Sequence, residues 1–243
     1  MSTAANPDRS WRAAQTYEKS WWDSRKETID FTFYREFAKE MLERFGPILK
    51  IDKDSSVLEI GSGAGGIVTF LPFCRRWAVD PLEDYFSSVE RFQIQRDPRV
   101  VYRTARAEDL PFDKEFFDVA IMDNVLDHCE DPDRVFIQMR RVLKTGGRVY
   151  LRLNLYGSWG RFVRAVAAVM RIDPGHPHTL THRAMSGLFR RHGFAVLAEE
   201  SRGFWPTWRT QLVSHGIKGR LKALTFSNPD KTTYVLKKLD SNE

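Results

Sequence analysis

A short apolar strand that runs straight into clustered glycines narrows the possible folds of this chain more than any other feature. Residues 56–60 (Ser-Val-Leu-Glu-Ile) lead directly into Gly61-Ser62-Gly63-Ala64-Gly65-Gly66, with a helix expected from about Ala64. Backbone turning this sharply between strand and helix needs residues without a Cβ. From Ser55 onward, short apolar runs alternate with helical stretches, the pattern of βαβ units around a parallel sheet. Strands are expected at 56–60, 76–80, 99–104, 117–122, 147–155, 194–199 and 232–238. Before the sheet, Trp11, Ala14, Tyr17 and Trp21 recur at helical spacing over 11–27. A second helix runs from Asp30 to about Phe45, where Gly46-Pro47 is expected to stop it. Asp131 is the expected N-cap of a helix with Pro132 in its first turn, ended by Thr145-Gly146-Gly147. A further helix is expected over 181–192, with Thr181 as its cap, whereas residues 201–231 show no clear period.

Composition excludes several classes. The 243 residues include 17 Phe, 7 Trp and 7 Tyr, enough apolar surface for a core and too much for a disordered chain. No apolar run approaches the roughly 18 residues of a membrane helix, and Met1 to Ser10 lacks the apolar stretch of a secretory signal. Two cysteines, Cys74 and Cys129, give neither a disulfide framework nor zinc-ligand spacing. A reducing cytoplasm is the expected address. Charge is divided unevenly. Residues 1–138 carry 19 Lys and Arg against 26 Asp and Glu, and residues 139–243 carry 19 against 6. A half this basic suits an anionic partner, or is simply a solvated surface.

Gly61, Gly63 and Gly66 fit G-x-G-x-x-G, with Asp80 the acidic residue about 20 positions on, so a dinucleotide is one reading. Glu59 points elsewhere. A carboxylate beside the loop would repel a pyrophosphate, whereas it suits the ammonium and sulfonium of S-adenosylmethionine. The string Val57-Leu58-Glu59-Ile60-Gly61-Ser62-Gly63-Ala64-Gly65 resembles the first motif of class I S-adenosylmethionine-dependent methyltransferases. Three further strings resemble the broad "type 11" subgroup in order and spacing. They are Ala107-Glu108-Asp109-Leu110-Pro111-Phe112 with Phe116-Phe117-Asp118-Val119, then Asp123-Asn124-Val125-Leu126-Asp127-His128, then Arg141-Val142-Leu143-Lys144-Thr145-Gly146-Gly147.

The resemblance implies a Rossmann-like α/β fold, a seven-stranded and mostly parallel sheet with the last strand antiparallel and an N-terminal helical cap. The whole chain would be one domain: 1–50 the cap, 51–155 the cofactor-binding core, 156–243 the acceptor-side lid and last strands. It also implies S-adenosyl-L-methionine as cofactor and S-adenosyl-L-homocysteine as its product. Glu59, Gly61, Ser62, Gly63 and Gly65 would line the methionine portion, Asp80 would hold the ribose, and Pro81 or Leu82 would lie against the adenine. Ala107 and Glu108 would meet the adenine edge, with Asp123 near the methionine amine. Where relatives often place an acidic residue before the Ala-Glu pair, this chain has Arg106, so Glu108 or Asp109 would carry that contact.

Methyl transfer needs alignment above all, and a hydroxyl acceptor benefits from a positioned base. His128 is the candidate base, with plain packing as its alternative. His176, His178 and His182 raise a metal reading, but only Asp173 lies near with ligand chemistry, and a loop capped at Thr181 is preferred. No metal is expected. Tyr17, Trp21 and Trp22 would close the pocket or simply pack in the core. Tyr156 and the basic helix after it would form a second wall, and His178 would reach the acceptor. Arg152, near the end of its strand, is the candidate anchor for an acidic acceptor group, with a salt bridge to a helix as the competing explanation. The acceptor expected is a small-molecule, glycan or lipid-linked compound bearing an anionic group, methylated at oxygen or nitrogen. An RNA methyltransferase using the basic half and a non-catalytic cofactor-binding scaffold are the alternatives.

Overall fold

The computed structural model describes residues 7–72, 75–169, 178–214, 224 and 228–240. Among them seven strands form one sheet: β1 (Ser56–Ile60), β2 (Arg75–Asp80), β3 (Val100–Thr104), β4 (Phe117–Asp123), β5 (Leu143–Leu155), β6 (Phe194–Ser201) and β7 (Asp230–Lys238). Their order is β3-β2-β1-β4-β5-β7-β6. Pairing is parallel as far as β5, and β7 runs antiparallel to both β5 and β6. All seven expected strands are present.

Alternation along each strand sends side chains to two cores. Leu58, Ala120, Met122, Val149 and Leu151 face Val135, Phe136 and Met139 of helix α5 (Pro132–Val142) and Met185, Leu188 and Phe189 of α7 (His182–Arg191). Val57, Val119, Ile121, Tyr150 and Val235 face the other way, onto α2 (Thr32–Leu49) and onto Trp22 of α1 (Pro7–Asp23). Among the described residues both faces of the sheet are thus packed against helices, and its strand ends are left for a ligand.

Three boundaries differ from expectation for local reasons. Helix α2 runs through Gly46-Pro47 to Leu49. Pro47 removes one donor near the helix end, while Lys50 in the left-handed region returns its N–H to the Gly46 carbonyl at 2.9 Å, and Leu49 is fully buried. Next, the glycine run opens only a single 3₁₀ turn, Ile67–Phe70. Gly66 takes φ 77° and ψ 163°, which delays the helix, and Leu71 turns extended before Pro72 and ends it. Finally, Thr145-Gly146-Gly147 lies inside β5, at the register shift where Phe117 pairs with Leu143 and Val119 with Arg148, so α5 ends at Val142. The unassigned region contains a helix, α8 (Phe204–Ser214), and the basic stretch after Tyr156 contains α6 (Ser158–Val169). Three short elements complete the described fold: α3 (Glu83–Ser87), α4 (Glu90–Gln93) and a 3₁₀ turn at Leu126–His128.

Both expected caps form. The Asp131 carboxylate accepts the Arg134 N–H at 3.1 Å, and the Thr181 hydroxyl accepts the Ala184 N–H at 3.2 Å. Replacing Asp131 by Ala is expected to cost about 1 kcal/mol of unfolding free energy, read by urea denaturation, with the denaturant slope unchanged.

Candidate active site

The carboxyl ends of the parallel strands carry polar residues on the face turned toward α1 and α2. The register aligns them: Glu59 lies level with Ile121, and Asp123 lies directly across from Arg152. Arg152 lies across from Thr233, and Thr233 from Glu200. A cavity of about 590 Å³ opens over this row, roofed by α1 and α2. Its size is that of a small-molecule site.

On the side of β1 and β2, Gly61 holds φ 73°, and a Cβ there would come within 2.5 Å of the Val125 methyls. The loop can therefore pass under the fourth-strand segment only with glycine at that position. Asp80 ties the loop down, its carboxylate accepting the Gly63 N–H and the Leu82 N–H, both at 2.9 Å. Burial pushes the Asp80 carboxyl up to about 6 against the pull of those two amides. Glu59, 2% exposed, turns its carboxylate under the loop to accept the Val68 N–H at 2.8 Å. Burial lifts Glu59 to about 8, and the Val68 and Ile67 amides offset part of that cost. Tyr34 of α2 donates to the Ser62 carbonyl at 2.9 Å and so pins the loop from above.

The wall above comes from α1. Trp22 is 8% exposed and meets Phe86 and Phe92 edge-to-face at 5.4 and 5.8 Å, so it packs in the core while its flank lines the cavity. Tyr17 and Trp21 are exposed at the rim. His128 lines the cavity between two carboxylates, its Nδ1 3.8 Å from Glu18 Oε1 and its Nε2 3.9 Å from Asp127 Oδ1.

The side of β5 and β7 is densely ion-paired. Arg152 grips Asp123 through Nε at 2.7 Å and Nη2 at 2.5 Å, lies over the Phe37 ring at 4.0 Å, and has Glu40 of α2 at 3.7 Å. The salt bridge that competed with an acceptor anchor is thus formed, to the neighbouring strand first and to the helix second. Arg44 is bound by Glu40 at 2.9 Å and by Glu200. Arg202 reaches Glu40 at 3.1 Å, and these arginines hold the Glu40 carboxyl below its ordinary value despite its burial.

Of the residues expected at the site, Glu59, Gly61, Ser62, Gly63, Asp80, Pro81, Leu82, Asp123, His128, Tyr17, Trp21, Trp22 and Arg152 all line this one cavity. Five stand outside its lining. Gly65 packs on Phe31, and Ala107 is buried in the opposite core. Glu108 accepts the Glu130 and Asp131 N–H groups at 2.7 and 3.4 Å, bracing the segment before α5. His178 donates its own N–H to the Asp127 carbonyl, with Nε2 3.1 Å from the Glu130 carbonyl. Tyr156 is buried, its N–H on the Leu180 carbonyl. His176, Asp173 and Cys74 lie outside the described residues. Among the described residues no group of three metal-ligating side chains occurs, and no helix is long and apolar enough to cross a membrane.

Several lining residues are not marked as site residues by the sequence: Phe33, Phe37, Glu40 and Arg44 of α2, with Glu200, Arg202 and Lys231. A signal for the first four exists. They are spaced 4, 3 and 4 apart, parallel to the buried stripe Tyr34, Ala38, Met41 and Phe45.

Comparison with known proteins places this geometry. A family model described as "Methyltransferase domain" matches residues 58–151. An uncharacterized protein of Methanocaldococcus jannaschii is 34% identical over 94 residues, covering 39% of this chain and 42% of that protein. The mitochondrial ubiquinone biosynthesis O-methyltransferase of Candida albicans is 29% identical over 142 residues, 54% of this chain and 43% of that enzyme. The chain spans about half the length of the curated relatives it matches. Among solved structures, YcgJ of Bacillus subtilis superposes with a TM-score of 0.61 at 18% identity, covering 84% of this chain and all of that one. A geranyl diphosphate methyltransferase in complex with SAM superposes with a TM-score of 0.65 at 16% identity, covering 84% and 85%. Residues 58–151 thus match a methyltransferase domain, and the strand order with its antiparallel seventh strand is the fold that the chain shares with these solved structures.

Proposed function

We propose that this protein transfers a methyl group from S-adenosylmethionine to an oxygen or nitrogen of a small-molecule acceptor. The observation that carries the reading is the division of charge within the cavity. Around the glycine loop the acidic lining is Glu18, Glu59 and Asp80, with His128 beside Glu18 and, among the described residues, no Lys or Arg, while the Arg and Lys side chains stand toward β5 and β7. Glu59, lifted to about 8 by burial, is drawn toward its ionised form by a nearby ammonium or sulfonium and not by a pyrophosphate, so that loop end suits the cationic ligand. Asp80 would hold the ribose hydroxyls, the Gly61–Gly63 backbone would meet the methionine portion, and Leu82 would lie on the adenine. Bound there, the cofactor supplies an electrophilic methyl group on a good leaving group.

The chain's own contribution is alignment and proton handling. The roof of α1 and α2 excludes water over the loop, and the basic end of the cavity fixes the acceptor. His128, flanked by Glu18 and Asp127, would take the proton from an acceptor hydroxyl or ammonium, an effect worth roughly 10²–10⁴-fold. Relatives named for ubiquinone biosynthesis and for 27-O-demethylrifamycin support a small-molecule acceptor. RNA remains the second reading because of the basic half, and it predicts binding that weakens steeply with salt.

A calorimetric titration with S-adenosylhomocysteine, with NAD as control, tests the cofactor. Micromolar binding of the former alone is expected, and binding of NAD alone would overturn the reading. Incorporation of a labelled methyl group into a component of a metabolite extract then separates an enzyme from a scaffold.

A further inference from the structure

Four basic side chains line the cavity toward β5 and β7, and three of them have carboxylate partners. Arg44 is held by Glu40 and Glu200, Arg152 by Asp123, and Arg202 by Glu40. Lys231 is left over. Among the described residues its amine has no hydrogen-bond or ion-pair partner. The sheet keeps it close to the others. Lys231 sits across from Asn154 at the start of β7, two residues from Thr233, which faces Arg152. The Arg202 N–H donates to the Lys231 carbonyl at 2.9 Å, which fixes the two residues side by side across the β6–β7 edge. Arg202 itself makes one side-chain contact, Nη2 to Glu40, and its side chain is 56% exposed. Burial, then the charges of Arg202 and Arg152, hold the Lys231 amine below its ordinary value.

An ammonium lined up beside a half-used guanidinium, in a cavity and without a carboxylate of its own, is arranged for an anion from outside. We propose that Lys231 and Arg202 form a clamp for an anionic oxygen group, carboxylate or phosphate, of the methyl acceptor. Arg152 is not that anchor, because Asp123 takes its Nε–Nη2 edge and Glu40 stands 3.7 Å from its Nη1. The strand order also sets the acceptor's reach. β7 stands two strand spacings from β4, about 10 Å, and three from β1, about 14 Å. An acceptor held by the clamp would extend its nucleophile across β5 toward the loop, with the charged group and the methylated atom at opposite ends.

The inference rests on the acceptor lying in this cavity, so the test keeps cofactor and clamp separate. The full chain saturated with S-adenosylhomocysteine is titrated with inorganic phosphate and, separately, with succinate, following the backbone amides of 202 and 231 by NMR. Millimolar binding of at least one probe is expected, and the tighter one names the acceptor's anionic group. Lys231→Met and Arg202→Ala should each weaken that binding at least tenfold and leave S-adenosylhomocysteine affinity within about twofold. Absence of binding by either probe, or binding undiminished in Lys231→Met, overturns the clamp. If S-adenosylhomocysteine itself does not bind, the cofactor reading fails, and the same titrations on the ligand-free protein still decide the clamp.

Discussion

Glu83→Ala is expected to lower the unfolding free energy by about 3–5 kcal/mol, the cost of stranding a buried charge. Glu83 and Arg96 are 4% and 8% exposed and meet through two bonds, Nη1 to Oε1 at 2.8 Å and Nη2 to Oε2 at 2.9 Å. The same guanidinium donates through Nε to the Ala64 carbonyl at 2.6 Å and stacks over the Tyr102 ring at 3.9 Å. Tyr102 in turn donates to the Gly65 carbonyl at 2.7 Å. The pair therefore props the glycine loop from behind as well as closing a gap in the core. For a domain of this size the midpoint of thermal unfolding should fall by roughly 6–20 °C. The double variant Glu83→Leu, Arg96→Met should recover most of that, because no unpaired charge remains. About 1 kcal/mol should stay lost with the donor to Ala64. A single-variant shift under about 2 °C would mean that water reaches the guanidinium and the brace is not buried in solution.

For Asp80→Ala, S-adenosylhomocysteine binding should weaken by about 10- to 150-fold, equivalent to roughly 1.5–3 kcal/mol of charged hydrogen bonding. A dependence on acidity should vanish with it. Burial sets the free carboxyl to about 6, whereas a ligand whose hydroxyls donate to it needs the ionised form. Binding then releases a proton below that value. Affinity is full above pH 6 and declines as pH falls through it, by up to tenfold per unit. In the variant this decline should be absent. Glu59, lifted to about 8 by burial and to a lesser degree by the charges of Asp123 and Asp80, moves down when Asp80 is removed, so the two proteins are compared on the slope below pH 6. Unchanged affinity at pH 7, measured by calorimetry, would remove Asp80 from the site.

Elements whose cause is local were open to sequence reading. The strand periodicity, the Asp131 and Thr181 caps and the glycine loop each depend on residues within a few positions of one another. What escaped depends on partners far away in the chain. Pro47 looks like a stop until Leu49 has a sheet to bury against. Arg152 looks like a free cation near a site, and only the β4–β5 register shows that Asp123 is already across from it. Gly66 looked like part of a helix start, yet the Glu59 carboxylate tucked against it fills the space where a Cβ would point. Lys231 escapes for a narrower reason: the strand pattern begins at 232, and this residue falls at the end of a stretch without a period.

The position of β7 has a consequence for the order in which this molecule comes into being. Strands β1 and β2, which carry the glycine loop and Asp80, leave the ribosome first. Strand β6 cannot join the sheet until β7 exists to lie between it and β5. Chains generally acquire structure from the N-terminal side during synthesis. A nascent chain thus owns the residues of its donor end well before Lys231 and Arg202 are brought together. The glycine loop is drawn from β1 and β2 and the clamp from the β6–β7 edge, and the sheet is completed by wedging β7 between two strands that were waiting.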